Sequence, residues 1–227
     1  MATYILVHGA WGSGWGYREI AANLRAAGHV VFAPTLTGLG ERAHLASPSV
    51  TLSTHIADVT TLIDFEGIDD IILVGHSYGG LVITGAASQR ADQIRTLVYI
   101  DAFVPQDGQA LWDLINDEGR KGTLERQRAT PGLVAPPPTL PPRADHPRSN
   151  HPLLCFIEPV AVSEAVKTIP NRTYVYATVG APTTFTQFHT RFAADPTWRM
   201  HEVATGHSVM DEDPDGLTAL LLAEAER

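Results

Sequence analysis

The segment Ile71-Ile72-Leu73-Val74-Gly75-His76-Ser77-Tyr78-Gly79-Gly80 decides the fold of this chain. Its four leading apolar residues predict a buried strand, and residues 81–87 predict a compact helix. Between them stands Gly-x-Ser-x-Gly, which is typical of a sharp strand-to-helix turn that exposes one serine. Gly75 and Gly79 fit such a turn because backbone atoms approach too closely there for side chains. A chance match in an ordinary Gly-rich turn is the alternative, but the flanking strand and helix favour Ser77 as a candidate nucleophile.

Composition restricts the class of protein. The 227 residues suffice for one large α/β domain over residues 1–227 and are too few for two comfortable ones. With 16 Lys and Arg against 25 Asp and Glu, the net charge of −9 disfavours nucleic acid and anionic membranes as partners and favours a small neutral or weakly polar molecule. Cys155 is the only cysteine, so no internal disulfide is possible. The apolar run 4–7 is too short for a signal-peptide core, and a cytoplasmic location is expected.

Short apolar runs alternate with segments of helical period, which predicts parallel strands joined by helical crossovers. Six strands are expected, at residues 4–7, 29–33, 71–74, 96–100, 173–177 and 199–203. The alternation of strands and helices stops at residues 131–152. These residues hold eight of the 16 prolines and are not expected to form a regular strand or helix. This region lies within an insertion at residues 106–168. The insertion is predicted to be a lid over a pocket, the alternative being a surface excursion that packs on itself.

Acyl transfer at a serine needs a base, a group that orients the base, and donors for the oxyanion of the tetrahedral intermediate. The stretch His8-Gly9-Ala10-Trp11 follows the first predicted strand, so its loop is expected to run beside the serine turn. The backbone N–H groups of Ala10 and Tyr78 are therefore the candidate oxyanion donors. Gly9 permits close approach of the backbone to the substrate, and His8 is expected to be structural. A plain strand-terminating turn is the alternative for this loop.

Ten histidines compete for the role of base. Only His207 lies in the loop after the last predicted strand, where this architecture places its histidine. His201 alternates within that strand and is interpreted as a sheet-face residue, while His76 is expected to form pocket wall or packing. His146 and His151 suggest a metal pair, but no third ligand pattern accompanies them, so solvated loop positions are favoured. No metal and no cofactor is predicted.

The orienting acid is not where this architecture usually has it. The turn after the fifth predicted strand, residues 177–183, contains no carboxylate. Asp101 closes the strand next to the serine turn, and a carboxylate ending so apolar a run is costly to bury without a partner. Asp101 is therefore the candidate acid, with a turn or capping aspartate as the alternative. Asp195 and Asp211 remain possible but are interpreted as solvated loop residues.

Four motifs together resemble the α/β-hydrolase group that contains plant methylesterases, hydroxynitrile lyases and bacterial carbendazim-hydrolysing esterase-like members. They are residues 6–11 (LVHGAW), 26–29 (AAGH), 74–80 (VGHSYGG) and 102–105 (AFVP). Within this group, residues 35–42 (TLTGLGER) and 52–55 (LSTH) resemble the bacterial esterase-like members. The resemblance implies an α/β-hydrolase fold and assigns the nucleophile, the base and the two oxyanion donors to Ser77, His207, Ala10 and Tyr78. The acid of the group has no counterpart here. Asp101 instead resembles the acid position of haloalkane dehalogenases.

Two departures from the hydroxynitrile lyases bear on the reaction. Those enzymes have a lysine beside the histidine and a threonine in place of the loop glycine, whereas this chain has Ser208 and Gly9. The resemblance therefore implies a serine hydrolase that cleaves a small, moderately apolar ester or carbamate through an acyl-enzyme. A lyase, a cofactor-free oxygenase and a non-catalytic ligand binder stay open, because fold does not settle reaction.

Aromatic residues near the two loops suggest how such a substrate is bound. Trp11, Trp15 and Phe103 are the candidate substrate contacts, together with the ring of Tyr78. Each is equally well explained as core packing. The sequence predicts no oligomeric state.

Overall fold

A six-stranded parallel sheet forms the centre of the computed structural model, which describes residues 1–140 and 147–227. The described residues form eight strands in two sheets: β1 (Thr3–Val7), β2 (Val30–Phe32), β3 (Ile71–His76), β4 (Ile94–Ile100), β5 (Leu133–Val134), β6 (His151–Pro152), β7 (Asn171–Ala177) and β8 (Arg199–Val203). The sheet order is β2-β1-β3-β4-β7-β8, and β5 and β6 form a separate antiparallel pair. All six predicted strands are present, which confirms the expected sheet.

Helices cover both faces of the sheet. They are α1 (Arg18–Ala26), α2 (Leu52–Glu66), α3 (Gly79–Gln89), α4 (Leu111–Leu114), α5 (Asp117–Arg126), α6 (Leu154–Ile157), α7 (Thr186–Ala193), α8 (Val209–Glu212) and α9 (Pro214–Ala225). The hydroxyl of Thr51 caps α2, and Gly67 ends it in the left-handed conformation. The side chain of Asp213 accepts from Gly216 N at the start of α9. Among the described residues, no helix is long and apolar enough to cross a membrane.

The central strands are buried on both faces, as expected for a parallel sheet between two helical layers. Along β3, Ile71 and Leu73 join the hydrophobic cluster that includes α2 and α3. Ile72 and Val74 point the other way, into the cluster that includes α1 and α9. This double burial fixes β3, and so fixes the turn that follows it.

The described part of the insertion packs on the main core. Leu111, Leu114 and Phe156 are buried in the same cluster as α2 and α3. The expectation of no regular strand in residues 131–152 was wrong at both ends, because β5 pairs with β6 there. The pairing is only two residues long, and Pro152 ends it, so the prolines still prevent a longer ladder. The role of residues 106–168 as a lid stays a prediction.

Gly80 sets how closely α3 approaches the end of β4. A Cβ atom at Gly80 would overlap the carbonyl of Phe103. We expect Gly80→Ala to lower the free energy of unfolding by about 1–3 kcal/mol, because the helix must shift to accommodate the methyl group. Urea unfolding measures the change. Gly16→Ala is the matched control, since nothing lies within 4 Å of its Cβ position; equal losses in the two variants would contradict this explanation.

Candidate active site

Ser77 lies at the junction of β3 and α3 with a φ of 53°, in the left-handed region that residues with a Cβ seldom adopt. Its N–H donates to Ile100 O (3.2 Å), and its carbonyl accepts from Phe103 N (3.1 Å). A Cβ on Gly79 would lie 2.6 Å from the carbonyl oxygen at the end of β1, and one on Gly75 would lie 2.7 Å from Gly79 O. The motif glycines are therefore required by close backbone approach, and the surrounding bonds hold the strained serine in place.

Asp101 and His207 are brought together across the carboxyl edge of the sheet. The carboxylate Oδ2 of Asp101 lies 2.7 Å from His207 Nδ1, and its Oδ1 accepts from Ala177 N at 3.4 Å. Asp101 is only 1% exposed, so these partners compensate for the loss of water around the charge. Because the carboxylate only accepts, Nδ1 of His207 carries a proton and the lone pair of the neutral ring is on Nε2. Asp195, one of the alternatives, is only partly exposed, and its Oδ1 accepts from Thr197 N at 2.9 Å and from Thr197 Oγ1 at 2.6 Å.

The loop that carries His207 is held by two further aromatic side chains. Phe185 stacks on the imidazole, with ring centroids 4.7 Å apart and planes at 12°. His76 donates from Nε2 to the backbone carbonyl of His207 at 2.8 Å. Burial lowers the pKa of His76 well below its ordinary value, so the ring is neutral and its one proton is on the Nε2 atom that donates. His76 lines the cavity as predicted, but its anchoring bond was not predicted, because nothing in the sequence indicates which distant carbonyl it meets.

A cavity of about 290 Å³ opens beside these residues, and both Ser77 and His207 lie on its wall. Ala10, Trp11 and Trp15 are also on the wall. The remaining described lining residues are His8, Gly9, Gly12, Ser13, Gly16, Tyr17, His76, Pro137, Thr139, Leu140, Arg148, Ser208, Met210 and Asp211. Two of the four predicted aromatic contacts, Trp11 and Trp15, therefore face the cavity. The ring of Tyr78 does not, which corrects that expectation: it is 0% exposed and its hydroxyl lies 2.9 Å from His55 Nδ1.

Phe103 is placed differently from the expectation. It is 5% exposed and absent from the described cavity wall. Its ring packs against Phe185 at 4.9 Å and Phe188 at 6.1 Å. The structure thus supports a core-packing role for Phe103 and not substrate contact, because the chain turns its side chain under α7 after Asp101.

The loop after β1 lies directly against the serine turn. A Cβ on Gly9 would lie 2.8 Å from His76 Nδ1 and 3.0 Å from Ser77 Cβ, so glycine is needed here. His8 Nδ1 donates to Gly9 O (2.8 Å), and His8 Nε2 accepts from Leu36 N (3.1 Å). This pair of bonds requires a neutral ring, and burial lowers the pKa of His8 to about 4. His8 therefore fixes the loop backbone.

His151 is fully buried, which corrects the expectation of a solvated loop residue. Its Nδ1 accepts from Trp11 N at 3.3 Å, and its ring stacks on Phe156 with centroids 4.5 Å apart. The surrounding prolines made this segment look like exposed loop, and only the pairing of β5 with β6 turns His151 inward. His146, its suggested metal partner, lies outside the described residues.

Three side chains of metal-binding type lie within 4.8 Å of one another behind the serine turn: His55, His151 and Cys155. His55 already uses both ring nitrogens, with Tyr78 Oη at Nδ1 (2.9 Å) and Thr37 O at Nε2 (2.8 Å). Burial raises the pKa of the Cys155 thiol to about 12, so it is protonated and a poor ligand. The arrangement fits a hydrogen-bonded packing cluster better than a metal centre.

The sheet order, the serine turn and the acid–histidine pair together define an α/β hydrolase. Residues 4–220 match the family model described as Alpha/beta hydrolase family, and the chain belongs to this family. The predicted family and fold are thereby confirmed.

Similar proteins agree with this assignment. The chain is 38% identical over 243 residues to a carbendazim hydrolyzing esterase of Nocardioides sp. (strain SG-4G), covering 98% of this chain and 99% of that protein. It is 32% identical over 104 residues to methylesterase 7 of Arabidopsis thaliana, covering 45% and 40%. The solved extracellular alpha/beta-hydrolase from a Paenibacillus species has a TM-score of 0.83 at 24% identity over 98% of both chains, which shows the shared fold. These relatives confirm the prediction of an enzyme of the hydrolase class.

The buried neutral His8 makes stability depend on pH. Its pKa is about 4 in the folded protein and near 6.5 in the unfolded chain, so the unfolded chain binds the extra proton between these values. Stability is lost as the pH falls from about 6.5 to about 4, and His8 alone accounts for about 3 kcal/mol. We expect the free energy of unfolding of His8→Asn to depend less steeply on pH in this window, because unfolding of the variant takes up about one proton fewer. Urea unfolding between pH 4.5 and 6 measures it, and an unchanged slope would contradict the assignment.

Proposed function

We propose that this protein is a serine hydrolase that cleaves a carboxylic ester or carbamate of a small, moderately apolar molecule through an acyl-enzyme. The observation that carries the proposal is the 2.7 Å hydrogen bond between Asp101 and His207, with His207 and Ser77 on the wall of one cavity. A buried carboxylate, an imidazole and a strained serine at one sheet edge are the parts that acyl transfer needs.

The chemistry would begin at Ser77. His207 Nε2 takes the hydroxyl proton as Ser77 Oγ attacks the carbonyl carbon, and the imidazolium then protonates the leaving group. Asp101 holds the ring in the required tautomer and stabilises its positive charge. In the second half, His207 removes a proton from water as the water oxygen attacks the acyl carbon. The bond from that carbon to Ser77 Oγ then breaks, and the imidazolium returns the proton to Ser77 Oγ.

The developing oxyanion needs donors already in place. We assign the backbone N–H groups of Ala10 and Tyr78 to this role. Ala10 lies on the cavity wall, and Tyr78 is the residue that directly precedes α3. Among the described residues, neither N–H donates to a backbone carbonyl in the turns and loops, which supports their availability to a substrate oxygen.

The lining of the cavity and the similar proteins both support the proposed substrate class. Trp11, Trp15, Leu140 and Met210 give the cavity an apolar lining suited to a flat or moderately apolar group. The name of the Nocardioides relative, aligned over nearly its whole length, supports a carbamate or ester bond. We propose such a small molecule as the partner, with no nucleic acid or membrane partner, and a cytoplasmic location. Among the described residues no observation favours the lyase or oxygenase alternatives.

Replacement of the nucleophile tests the proposal directly. We expect Ser77→Ala to abolish hydrolysis of a short-chain p-nitrophenyl ester and covalent labelling by an organophosphonate, because both need the hydroxyl. Release of p-nitrophenol and intact-mass spectrometry are the measurements. Wild-type protein with neither turnover nor labelling, combined with normal ligand binding by the variant, would favour a non-catalytic binder.

Replacement of the acid tests the unusual assignment of Asp101. We expect Asp101→Asn to keep the fold and to lower kcat by about 10²–10⁴, because the amide no longer enforces the tautomer or stabilises the imidazolium. Steady-state kinetics with a thermal melt measures both. Asp195→Asn is the matched control and should retain wild-type rates, because Asp195 bonds to Thr197 and is not on the described cavity wall. A wild-type rate in Asp101→Asn would exclude Asp101 as the acid.

A further inference from the structure

Trp11, directly after the proposed oxyanion residue Ala10, has a φ of 60°. A residue with a bulky side chain adopts this left-handed conformation only where its surroundings enforce it. Two hydrogen bonds do so here. Trp11 N donates to His151 Nδ1 at 3.3 Å, and Trp11 Nε1 donates to Val134 O at 2.8 Å.

Both acceptors belong to one small unit of the insertion. Val134 and His151 are direct partners in the β5–β6 pair, and both are 0% exposed. Leu153 N donates to Gly132 O at 2.8 Å and closes the pair beyond its strands. The backbone and the ring of Trp11 are therefore held by a single rigid element.

The contact of His151 with Trp11 leaves a buried donor of the imidazole unpaired in the described part of the chain, which costs free energy. Because Nδ1 accepts from Trp11, the ring proton is on Nε2. That Nε2 atom is buried and has no hydrogen-bond partner among the described residues. Leaving a buried donor unpaired is unfavourable, so it needs an explanation beyond packing. Presenting an acceptor to Trp11 N supplies one.

Ala10 is thus fixed from both sides. Upstream, His8 bonds to the carbonyl of Gly9 and to Leu36 N. Downstream, the β5–β6 pair holds Trp11. The peptide N–H of Ala10 therefore lies between two anchored residues, Gly9 and Trp11.

We propose that the β5–β6 pair positions the oxyanion donor, with His151 as a positioning residue that acts through Trp11. This inference rests on the proposed hydrolase function. It gives the insertion a role in the chemical step itself, because a displaced donor weakens the transition state more than the ground state.

Two variants of His151 separate positioning from packing. His151→Leu removes the acceptor and keeps an apolar side chain, whereas the Oδ1 of His151→Asn can still accept from Trp11 N. We expect kcat of the leucine variant to fall about tenfold with KM within about twofold, since loss of one oxyanion donor costs 10²–10³ in kcat and displacement costs less. The asparagine variant should recover most of the rate. Rates are normalised to sites titrated with an organophosphonate.

Trp11→Phe is the companion variant, because it removes the bond to Val134 O and keeps an aromatic ring. It should lower kcat as well, and Trp112→Phe, away from the described cavity wall, is its matched control. Unchanged kcat in both His151→Leu and Trp11→Phe, or a change in KM alone, would overturn the inference.

Hydrogen–deuterium exchange supplies a readout that does not depend on turnover. In His151→Leu the amides of residues 8–12 should exchange faster than in wild type, and in His151→Asn they should exchange at nearly the wild-type rate. Unchanged exchange in His151→Leu would overturn the positioning role alone. Wild-type protein without turnover or labelling would instead overturn the proposed hydrolase function, so the two failures are distinguishable.

Discussion

The backbone link between the serine turn and the end of β4 is the constraint on which the site depends. Ser77 donates to Ile100 O and accepts from Phe103 N, so the residue before Asp101 and the second residue after it are both bonded to the serine. Ser77 and Asp101 both have positive φ, at 53° and 39°. Each strained residue is therefore held by the turn that contains the other, and the proposed nucleophile and acid form one rigid backbone unit. This unit persists because β3 and β4 are buried on both faces.

Neutral histidines connect this unit to the loops around it. His8 joins the loop after β1 to Leu36, His76 joins the serine turn to the carbonyl of His207, and His151 joins the insertion to Trp11. Burial lowers the pKa of all three, and that matters because a protonated ring loses the acceptor that His8 and His151 use. These histidines hold the loops of the site in place near neutral pH. Because protonation removes the acceptors of His8 and His151, the geometry of the site is sensitive to acid.

The sequence predicted the sheet and the serine turn because both depend on local patterns: apolar runs, glycine spacing and chain order. It also predicted the Asp101–His207 contact, since parallel strands end at one edge of a sheet and Asp101 closes a strand there. Local pattern failed where burial depends on distant partners. His151 is buried only because β5 and β6 pair across a proline-rich stretch, and Phe103 is core only because α7 covers it. Neither contact has a signature in the neighbouring residues.

The position of the acid shows what this fold requires at that edge. The turn after β7 carries no carboxylate, but the backbone of β7 still binds the acid. Ala177 N at the end of β7 donates to Asp101 Oδ1, and Asp101 N donates to Val175 O. Because β7 lies between β4 and β8, a carboxylate at the end of β4 reaches the His207 loop across the end of β7. The end of β7 thus contributes an N–H donor to the acid instead of the acid itself. What the geometry requires is a buried carboxylate facing Nδ1 of the histidine, and in this chain the end of β4 meets that requirement.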